Sequence, residues 1–382
     1  MFYITLPQSA QYRNISLDDL LDGKTSRVVR RNESNTRTYC LENLQQGKHY
    51  GYPWAERRRI IQLLKGFTQN FNDLYTVDRH SLYRTFRIPK RTGGWREINA
   101  PEPRLMDALY VLRSILEENC NALYHTAAFA YIKNRTTIDA VKRHQVNNSY
   151  WFLKVDFHDF FGSTTKEFVL KMLSQIVPFN FILDEDPEAL SKALDLCFLD
   201  GRLPQGTPIS PMLTNLIMIP IDFHLSKELR EVQDGDAKYS CVYTRYADDL
   251  LISSLQGFNP EKVREIIRKV LAQFDAPYTF KEEKTRYGSR EGSNWNLGVM
   301  LNKDNNITVG HRTKKTFRAM LTNYILDKKS GKSWKLEDVQ YMNGLLSYYK
   351  MVEADYFERL MQKMNEKHGI DLAKMIKQDL TV

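Results

Sequence analysis

The period of apolar and polar positions changes along this 382-residue chain, and each change marks an element. Trp151-Phe-Leu-Lys-Val-Asp156 opens as an apolar strand with an acid near its end. Two further runs of strand formers lie at Tyr243 to Arg245 and Leu250 to Ser253. They are broken by Tyr246-Ala247-Asp248-Asp249, which predicts strand, tight turn, strand with two carboxylates at the tip. Pro89 to Pro101 reads as another hairpin, turning at Thr92-Gly93-Gly94. Helices are predicted from Trp54 through Phe67 and from Pro103 to Cys120, and acidic Leu183-Asp-Glu-Asp186 as a loop leading into a helix. Val339, Met342, Leu346, Tyr349, Val352, Tyr356, Leu360 and Met364 keep near-helical spacing, the stripe of a bundle core. No repeat or low-complexity tract interrupts the pattern.

Composition narrows the class. Lys and Arg number 55 against 46 Asp and Glu, giving +9 and a pI near 9.1, enough to attract phosphates if the cations cluster. Residues 311–382 hold 14 Lys and Arg against 9 Asp and Glu, with His311-Arg312-Thr-Lys314-Lys315-Thr-Phe317-Arg318 the densest basic run. Such a run tracks a nucleic-acid backbone or faces water as a solvated helix side. Glu56-Arg57-Arg58-Arg59 has the same two readings: contact with RNA, or plain exposure. No run approaches eighteen apolar residues and the apolar start Met1–Leu6 is short, so neither a membrane span nor a secretory leader is expected. Cys40, Cys120, Cys197 and Cys241 are scattered, which reads as free thiols in a reducing cytoplasm and not as a zinc or disulfide framework.

The acids carry the chemistry. Adjacent aspartates at a hairpin tip repel one another unless a cation sits over them, and hard dications with oxygen ligands, Mg²⁺ first, suit that tip. Asp156 at a strand end beside them completes a three-acid cluster. Two-metal phosphoryl transfer needs such a cluster, one ion to activate a 3′-hydroxyl and one to clamp a triphosphate. A solvated acidic turn and a solvent-facing terminal Asp are the plain alternatives.

The segments around Asp156 and Asp248-Asp249 resemble motifs A and C of reverse transcriptases, and the other motifs follow in family order. Phe86-Arg-Ile-Pro-Lys90 with Gly93-Gly94-Trp95-Arg96-Glu97-Ile98 resembles the fingers hairpin of the bacterial enzymes, and Phe129-Ala-Tyr131-Ile-Lys133-Asn-Arg135 the next fingers motif. Leu203-Pro204-Gln205-Gly206-Thr-Pro208-Ile-Ser210-Pro211 closely resembles motif B. Glu282-Glu283-Lys284-Thr285 is similar to motif D, Asn296-Leu297-Gly298 to the primer grip, and Asn343-Gly344-Leu-Leu-Ser347-Tyr348-Tyr349 to the thumb helix of retron and group II intron enzymes. The resemblance spans roughly residues 80 to 365. It implies an α+β right-hand polymerase: fingers at 76–150, a palm at 151–310 whose antiparallel sheet carries the catalytic hairpin and whose motif B region interleaves with the fingers, and a helical thumb at 311–382. Residues 1–75 would be an extension of unassigned role.

The roles implied are specific. Asp156, Asp248 and Asp249, with the Phe157 carbonyl, would hold two Mg²⁺ ions, Mn²⁺ substituting. Lys284 would protonate the leaving pyrophosphate, and Lys90 and Arg96 would fold over the triphosphate, Arg as a bidentate clamp and Lys as a point charge. Gln205 and Gly206 would let the backbone approach the base pair, since glycine has no Cβ to clash. Phe161 would exclude a 2′-hydroxyl and select deoxynucleotides. Leu297, Gly298, Arg312, Lys314, Lys315 and Arg318 would touch template and primer.

Within the family the resemblance divides. Retron enzymes carry Asn-Ala-x-x-His ahead of motif A, where this chain has Asp139-Ala140-Val-Lys-Arg-His144, and Val-Thr-Gly after the primer grip, where it has Ile307-Thr308-Val309-Gly310. Ser210-Pro211 argues against diversity-generating enzymes. A retron or a stand-alone phage-defence enzyme both fit, with an RNA template, DNA product and dNTPs as partners. A non-coding RNA or defence effector, and an oligomer, remain open. Template-independent or protein-primed synthesis, and a non-catalytic RNA-binding scaffold, are the other functions the sequence allows.

Overall fold

In the computed structural model the described residues are 6–7, 36–37, 54–90, 93–119, 124–292 and 298–381. Leu6–Pro7 and Thr36–Arg37 form a two-residue antiparallel pair. Helix α1, Trp54–Asn70, extends the predicted helix by three residues and buries Ile60, Leu63, Leu64 and Phe67 on one face. Its cations are paired within the protein. Arg57 and Arg58 reach Glu185 at 3.9 and 3.8 Å, Arg59 reaches Glu56 at 3.1 Å, and Lys65 reaches Asp186 at 2.6 Å. Part of the basic run of α1 thus faces the acidic segment at Glu185 and Asp186, although the Arg58 side chain stays largely exposed.

Strands β1, Tyr83–Pro89, and β2, Trp95–Pro101, form the predicted hairpin. Helix α2, Pro103–Ser114, ends in a π turn over Ile115–Asn119, just short of the predicted Cys120, which lies outside the described residues. Helix α3 spans Thr137–Val146 behind a capping box in which Thr136 and Asp139 satisfy each other's backbone N–H. Strand β3, Trp151–Asp156, is followed by α4, Lys166–Leu173, α5, Phe179–Glu185, and α6, Pro187–Asp195. The acidic segment expected as a loop is mostly the end of α5. Asp186 alone bridges the two helices, and its side chain accepts from Ala189 N at 3.0 Å to cap α6.

Helix α7, Ser210–Glu228, is apolar nearly all round and correspondingly buried. Strands β4, Val242–Tyr246, and β5, Asp249–Ser254, then α8, Pro260–Gln273, and β6, Arg286–Ser289, complete an antiparallel sheet in the order β6-β3-β5-β4. A small hairpin, β7 at Met300–Leu301 and β8 at Ile307–Thr308, leads into α9, His311–Lys329, α10, Leu336–His368, and α11, Leu372–Leu380. Cys197 and Cys241 are buried free thiols. No described helix is long and apolar enough to cross a membrane.

Strand alternation splits the core in two. Leu153, Val155, Leu250 and Ile252 face a large cluster that includes α1, α2, α4 and α6 to α8. Phe152 and Leu251 point the other way, into a second cluster built from β7, β8 and the C-terminal helices. Lys154, Asp156 and Asp249 have the parity of that second face, so the acids emerge between the sheet and the C-terminal helices.

One buried ion pair welds the sheet to α7. Arg245, with no exposed surface, grips Asp222 through Nε at 2.9 Å and Nη2 at 2.8 Å. Its Nη1 donates to Asn215 Oδ1 at 3.1 Å and to the Ala247 carbonyl at 3.2 Å, while the Tyr243 hydroxyl donates to Asp222 at 2.8 Å. Removing one partner strands a buried charge, which costs about 3–5 kcal/mol, whereas replacing both by apolar groups costs far less. Asp222→Leu is therefore expected to lower unfolding free energy by about that amount, and adding Arg245→Met should recover most of it. A denaturant double-mutant cycle reads the coupling.

Candidate active site

The hairpin register brings the acids together. Tyr246 pairs with Asp249 across a two-residue turn in which Ala247 takes a left-handed φ of 57°, a conformation more usual for glycine or asparagine. Asp249 in turn lies directly opposite Asp156 on β3, and the Phe157 N–H donates to the Asp248 carbonyl at 3.0 Å. Strand-end Asp156 and turn residues Asp248 and Asp249 thus share one corner of the sheet. Below it the fully buried Phe157 ring stacks on Phe160, Tyr278 and Phe280. That stack draws in the segment after Tyr278, and the Lys281 N–H donates to the Asp156 carbonyl at 2.8 Å.

Lysines surround the carboxylates. Lys281 Nζ lies 2.6 Å from Asp156 Oδ1 and 3.8 Å from Asp248 Oδ2, Lys284 Nζ 3.5 Å from Asp156 Oδ2, and Lys154 Nζ 2.9 Å from Asp249 Oδ2. Burial pushes all three acids toward the neutral form, but Asp156 is held below the ordinary carboxylate range by the Lys281 hydrogen bond. Asp248 stays above that range through burial and the Asp156 charge. Asp249 is pushed up to about 7, mainly by burial, and it lies close enough to Asp156 to share a proton. Its Oδ1 is buried without a hydrogen-bond donor.

The hairpin β1–β2 leans over this corner. Gln205 accepts from the Asn99 N–H at 2.8 Å, and Gly206, at φ +112°, passes so close to β2 that an added Cβ would lie 2.8 Å from Ile98 Cγ2 and 3.0 Å from the Asn99 carbonyl. The glycine is required first by this chain's own β2. Arg96 sits exposed near the hairpin tip opposite Ile88, and the Lys90 N–H donates to the Gly94 carbonyl at 2.9 Å. Tyr131, at φ 61° and 53 % exposed, stands between the two hairpins: partial burial and then the Asp248 charge raise its phenol, and Arg96 opposes them. Phe161 is half-buried, its ring tilted on Phe160 at 5.7 Å.

The family described as reverse transcriptase (RNA-dependent DNA polymerase) matches residues 88–317, well over half of the chain. The chain belongs to the reverse transcriptase family. It is an RNA-directed DNA polymerase. Similar curated proteins include the retron Ec83 reverse transcriptase of Escherichia coli, 29% identical over 297 residues, covering 74% of this chain and 87% of the relative. The retron Ec73 enzyme of the same species is 25% identical, covering 72% and 85%, and the retron Mx65 enzyme of Myxococcus xanthus 26% identical, covering 88% and 78%. Among solved structures, Candida albicans telomerase in complex with a fragment of telomeric RNA is a distant likeness, at 12% identity and a TM-score of 0.43 over 83% of this chain and 65% of its own.

Reverse transcriptases work with divalent metal ions, and the corner fits such ions chemically. Its donors are carboxylate oxygens, and Asp249 Oδ1 is buried with no hydrogen-bond donor, an acceptor that a hard cation would satisfy. Among the described residues no three His, Cys, Asp or Glu already stand in ligand array. The ammonium groups of Lys281, Lys284 and Lys154 lie against the carboxylates.

The basic thumb-like helix of this reverse transcriptase divides its cations. Arg312, Lys315 and Arg318 are exposed at three-residue spacing on α9. Lys314 is turned inward, 2.6 Å from Glu353 Oε1 and over the Tyr356 ring at 4.3 Å, so its charge is used within the protein and not on the outer face where sequence reasoning put it. Gly298, at φ +88°, lies against the Tyr348 hydroxyl, and Leu297 lies outside the described residues. Sequence reasoning missed Lys154, Lys281, Tyr131 and Arg245. Lys154 was findable, being two residues before Asp156 and hence on its face. Lys281 was not, because its place depends on the aromatic stack.

The acid pair gives a pH signature. Folded and metal-free, Asp249 keeps its proton up to about 7, against the ordinary value of 3.8 that applies when unfolded. The folded state therefore binds the extra proton between those values, and its stability falls as pH rises through that window. Melting of chelator-treated protein from pH 5 to 8 should show this loss in wild type and a flatter profile in Asp249→Asn. Mg²⁺ added at pH 8 should raise the wild-type midpoint and leave Asp249→Asn nearly unmoved.

Proposed function

We propose that this chain copies RNA into DNA from dNTPs, with Asp156, Asp248, Asp249 and the Phe157 carbonyl as the holders of two Mg²⁺ ions. The observation that carries this reading is the Asp156–Asp249 register with Asp248 at the adjoining turn. Bound there, the ions supply Lewis acidity to the primer 3′-hydroxyl and neutralise the triphosphate. The protein's part is positional. Arg245 and the Phe157 N–H fix the turn that presents Asp248 and Asp249. Arg96 and Lys90 approach from the β1–β2 hairpin, the fingers in this reading, to bind triphosphate oxygens. Gln205 and Gly206 form a floor under the nascent base pair, held by their contact with β2, and Phe161 excludes a ribose 2′-hydroxyl. Lys284 protonates the leaving pyrophosphate. Leu297, Gly298, Arg312, Lys315 and Arg318 receive the primer–template duplex between the sheet and the thumb helices.

The retron relatives support a retron-type enzyme; the fuller reading proposed with it is a bacterial cytoplasmic system with a non-coding RNA as template and anti-phage defence as its role. Sequencing of DNA that co-purifies with wild type and with Asp248→Asn tests the whole reading. A defined complementary DNA present only with wild type is expected. Products made without any RNA template would contradict it, as would phage protection surviving intact in Asp248→Asn.

A further inference from the structure

Two sequence elements that the active site does not use meet at one joint. The first, Asp139 to His144, lies on α3. His144 is fully buried, with Nδ1 at 2.6 Å from Ser253 Oγ and Nε2 at 2.8 Å from Thr244 Oγ1, so α3 is fastened to both strands of the acid hairpin. The next residue, Gln145, makes a reciprocal pair with Asn305 in the β7–β8 turn: Gln145 Nε2 donates to the Asn305 carbonyl at 2.8 Å and Asn305 Nδ2 to the Gln145 carbonyl at 2.9 Å. The second element, Ile307 to Gly310, is the far arm of that same hairpin.

That far arm is gripped by α10. Glu353 departs from helical geometry, at φ −143° and ψ 66°, with no proline or glycine at the break. Its carboxylate reaches out of the helix to three donors: Thr308 Oγ1 at 2.8 Å, Val309 N at 2.9 Å and Lys314 Nζ at 2.6 Å. Helix breaks without proline have an identifiable local cause, and at this one the Glu353 carboxylate is turned to three donors outside its own helix. Thr308 is itself nearly buried, and its hydroxyl also accepts from the Gly310 N–H at 3.1 Å. Hydrogen bonds, joined by the short stretches of chain His144–Gln145 and Asn305–Thr308, therefore link the acid hairpin through α3, the β7–β8 hairpin and Glu353 to α9.

We propose that Glu353 is a positioning residue that pins the C-terminal helices to the β7–β8 hairpin, and through α3 to the acid hairpin, so that the primer end is held in register with the carboxylates. The primer part rests on reading α9 and α10 as a thumb that receives the duplex. The pin itself rests on the geometry alone. The hydrogen-bond partners of Glu353 are Thr308, Val309 and Lys314, none of them a proposed metal- or dNTP-binding group, so its loss should loosen the grip on nucleic acid without changing the chemical step.

The test uses the full chain as wild type, Glu353→Ala and Glu353→Gln. By hydrogen exchange without nucleic acid, Glu353→Ala should speed exchange of the amides at 307–310, Val309 above all, while the β4–β5 amides keep their protection. With an RNA template and DNA primer, duplex dissociation should quicken by about tenfold and products shorten, as expected for loss of a charge-assisted cluster. Single-nucleotide incorporation by the pre-bound complex should match wild type. Glu353→Gln, which keeps an acceptor for Thr308 and Val309, should show a smaller effect. Wild-type exchange at 307–310 in Glu353→Ala would overturn the pin. Faster exchange with wild-type dissociation and product length would overturn its role in holding the primer. A Arg312→Ala, Arg318→Ala double variant separates the two readings. Wild-type duplex affinity in it would remove nucleic acid from this face of α9 and contradict the thumb reading, leaving the exchange result to decide the pin.

Discussion

Three carboxylates, one buried and two partly exposed, share one corner of a four-stranded sheet, and the rest of the structure is arranged around that electrostatic problem. Two like charges about 4 Å apart cost on the order of 4 kcal/mol at the effective dielectric of a protein surface. Burial raises the cost further, and it shows in Asp249 holding its proton up to about 7. The fold meets the repulsion in two ways. It supplies ammonium groups, Lys281 between Asp156 and Asp248 and Lys154 beside Asp249. It also fixes the backbone so firmly that the acids cannot retreat: β3 and β5 set Asp156 against Asp249, and Arg245 holds the Ala247 carbonyl from beneath. A corner so built keeps the three carboxylates together by lysine contacts and strand register, the arrangement that the proposed metal site requires.

Much of this was legible in the sequence because it depends on local pattern. The strand break at Tyr246–Asp249, the β1–β2 hairpin around Gly93-Gly94 and the apolar strand ending at Asp156 are short-range signals, and each stands where the pattern placed it. The stripe from Val339 to Met364 also became a core. What pattern could not show was where distant segments return. The apolar stripe of α10 continues past Glu353, so nothing in its period announces a break at the residue that accepts from Thr308 and Val309, more than forty residues upstream. Nothing in the Arg57–Arg59 run announces that Glu185, more than a hundred residues away, lies beside Arg57 and Arg58. Lys314 belongs to the densest basic run of the chain and yet is spent on Glu353, while its neighbours Arg312, Lys315 and Arg318 stay outward. Helix phase and one glutamate separate them.

The same contrast explains why polar residues deep in the protein matter here. Arg245, Asp222, Asn215 and His144 do no chemistry in this account, and all are buried. Each joins an element of the acid hairpin to another element: Asp222 and Asn215 to α7, His144 to α3, and Asn215 also to the Ala130 carbonyl next to Tyr131. Hydrophobic packing alone would let the hairpin slide against its neighbours, whereas directional hydrogen bonds fix its register, and register decides whether three acids meet.

The most direct test of the central claim is extension of a DNA primer on an RNA template with dNTPs as Mg²⁺ is titrated, comparing wild type with Asp156→Asn. Mg²⁺-dependent synthesis by wild type is expected, with a loss of about a thousandfold or more in the variant, as for removal of a group that stabilises transition-state charge. Synthesis by Asp156→Asn at the wild-type rate, or by wild type in the presence of excess chelator, would contradict it.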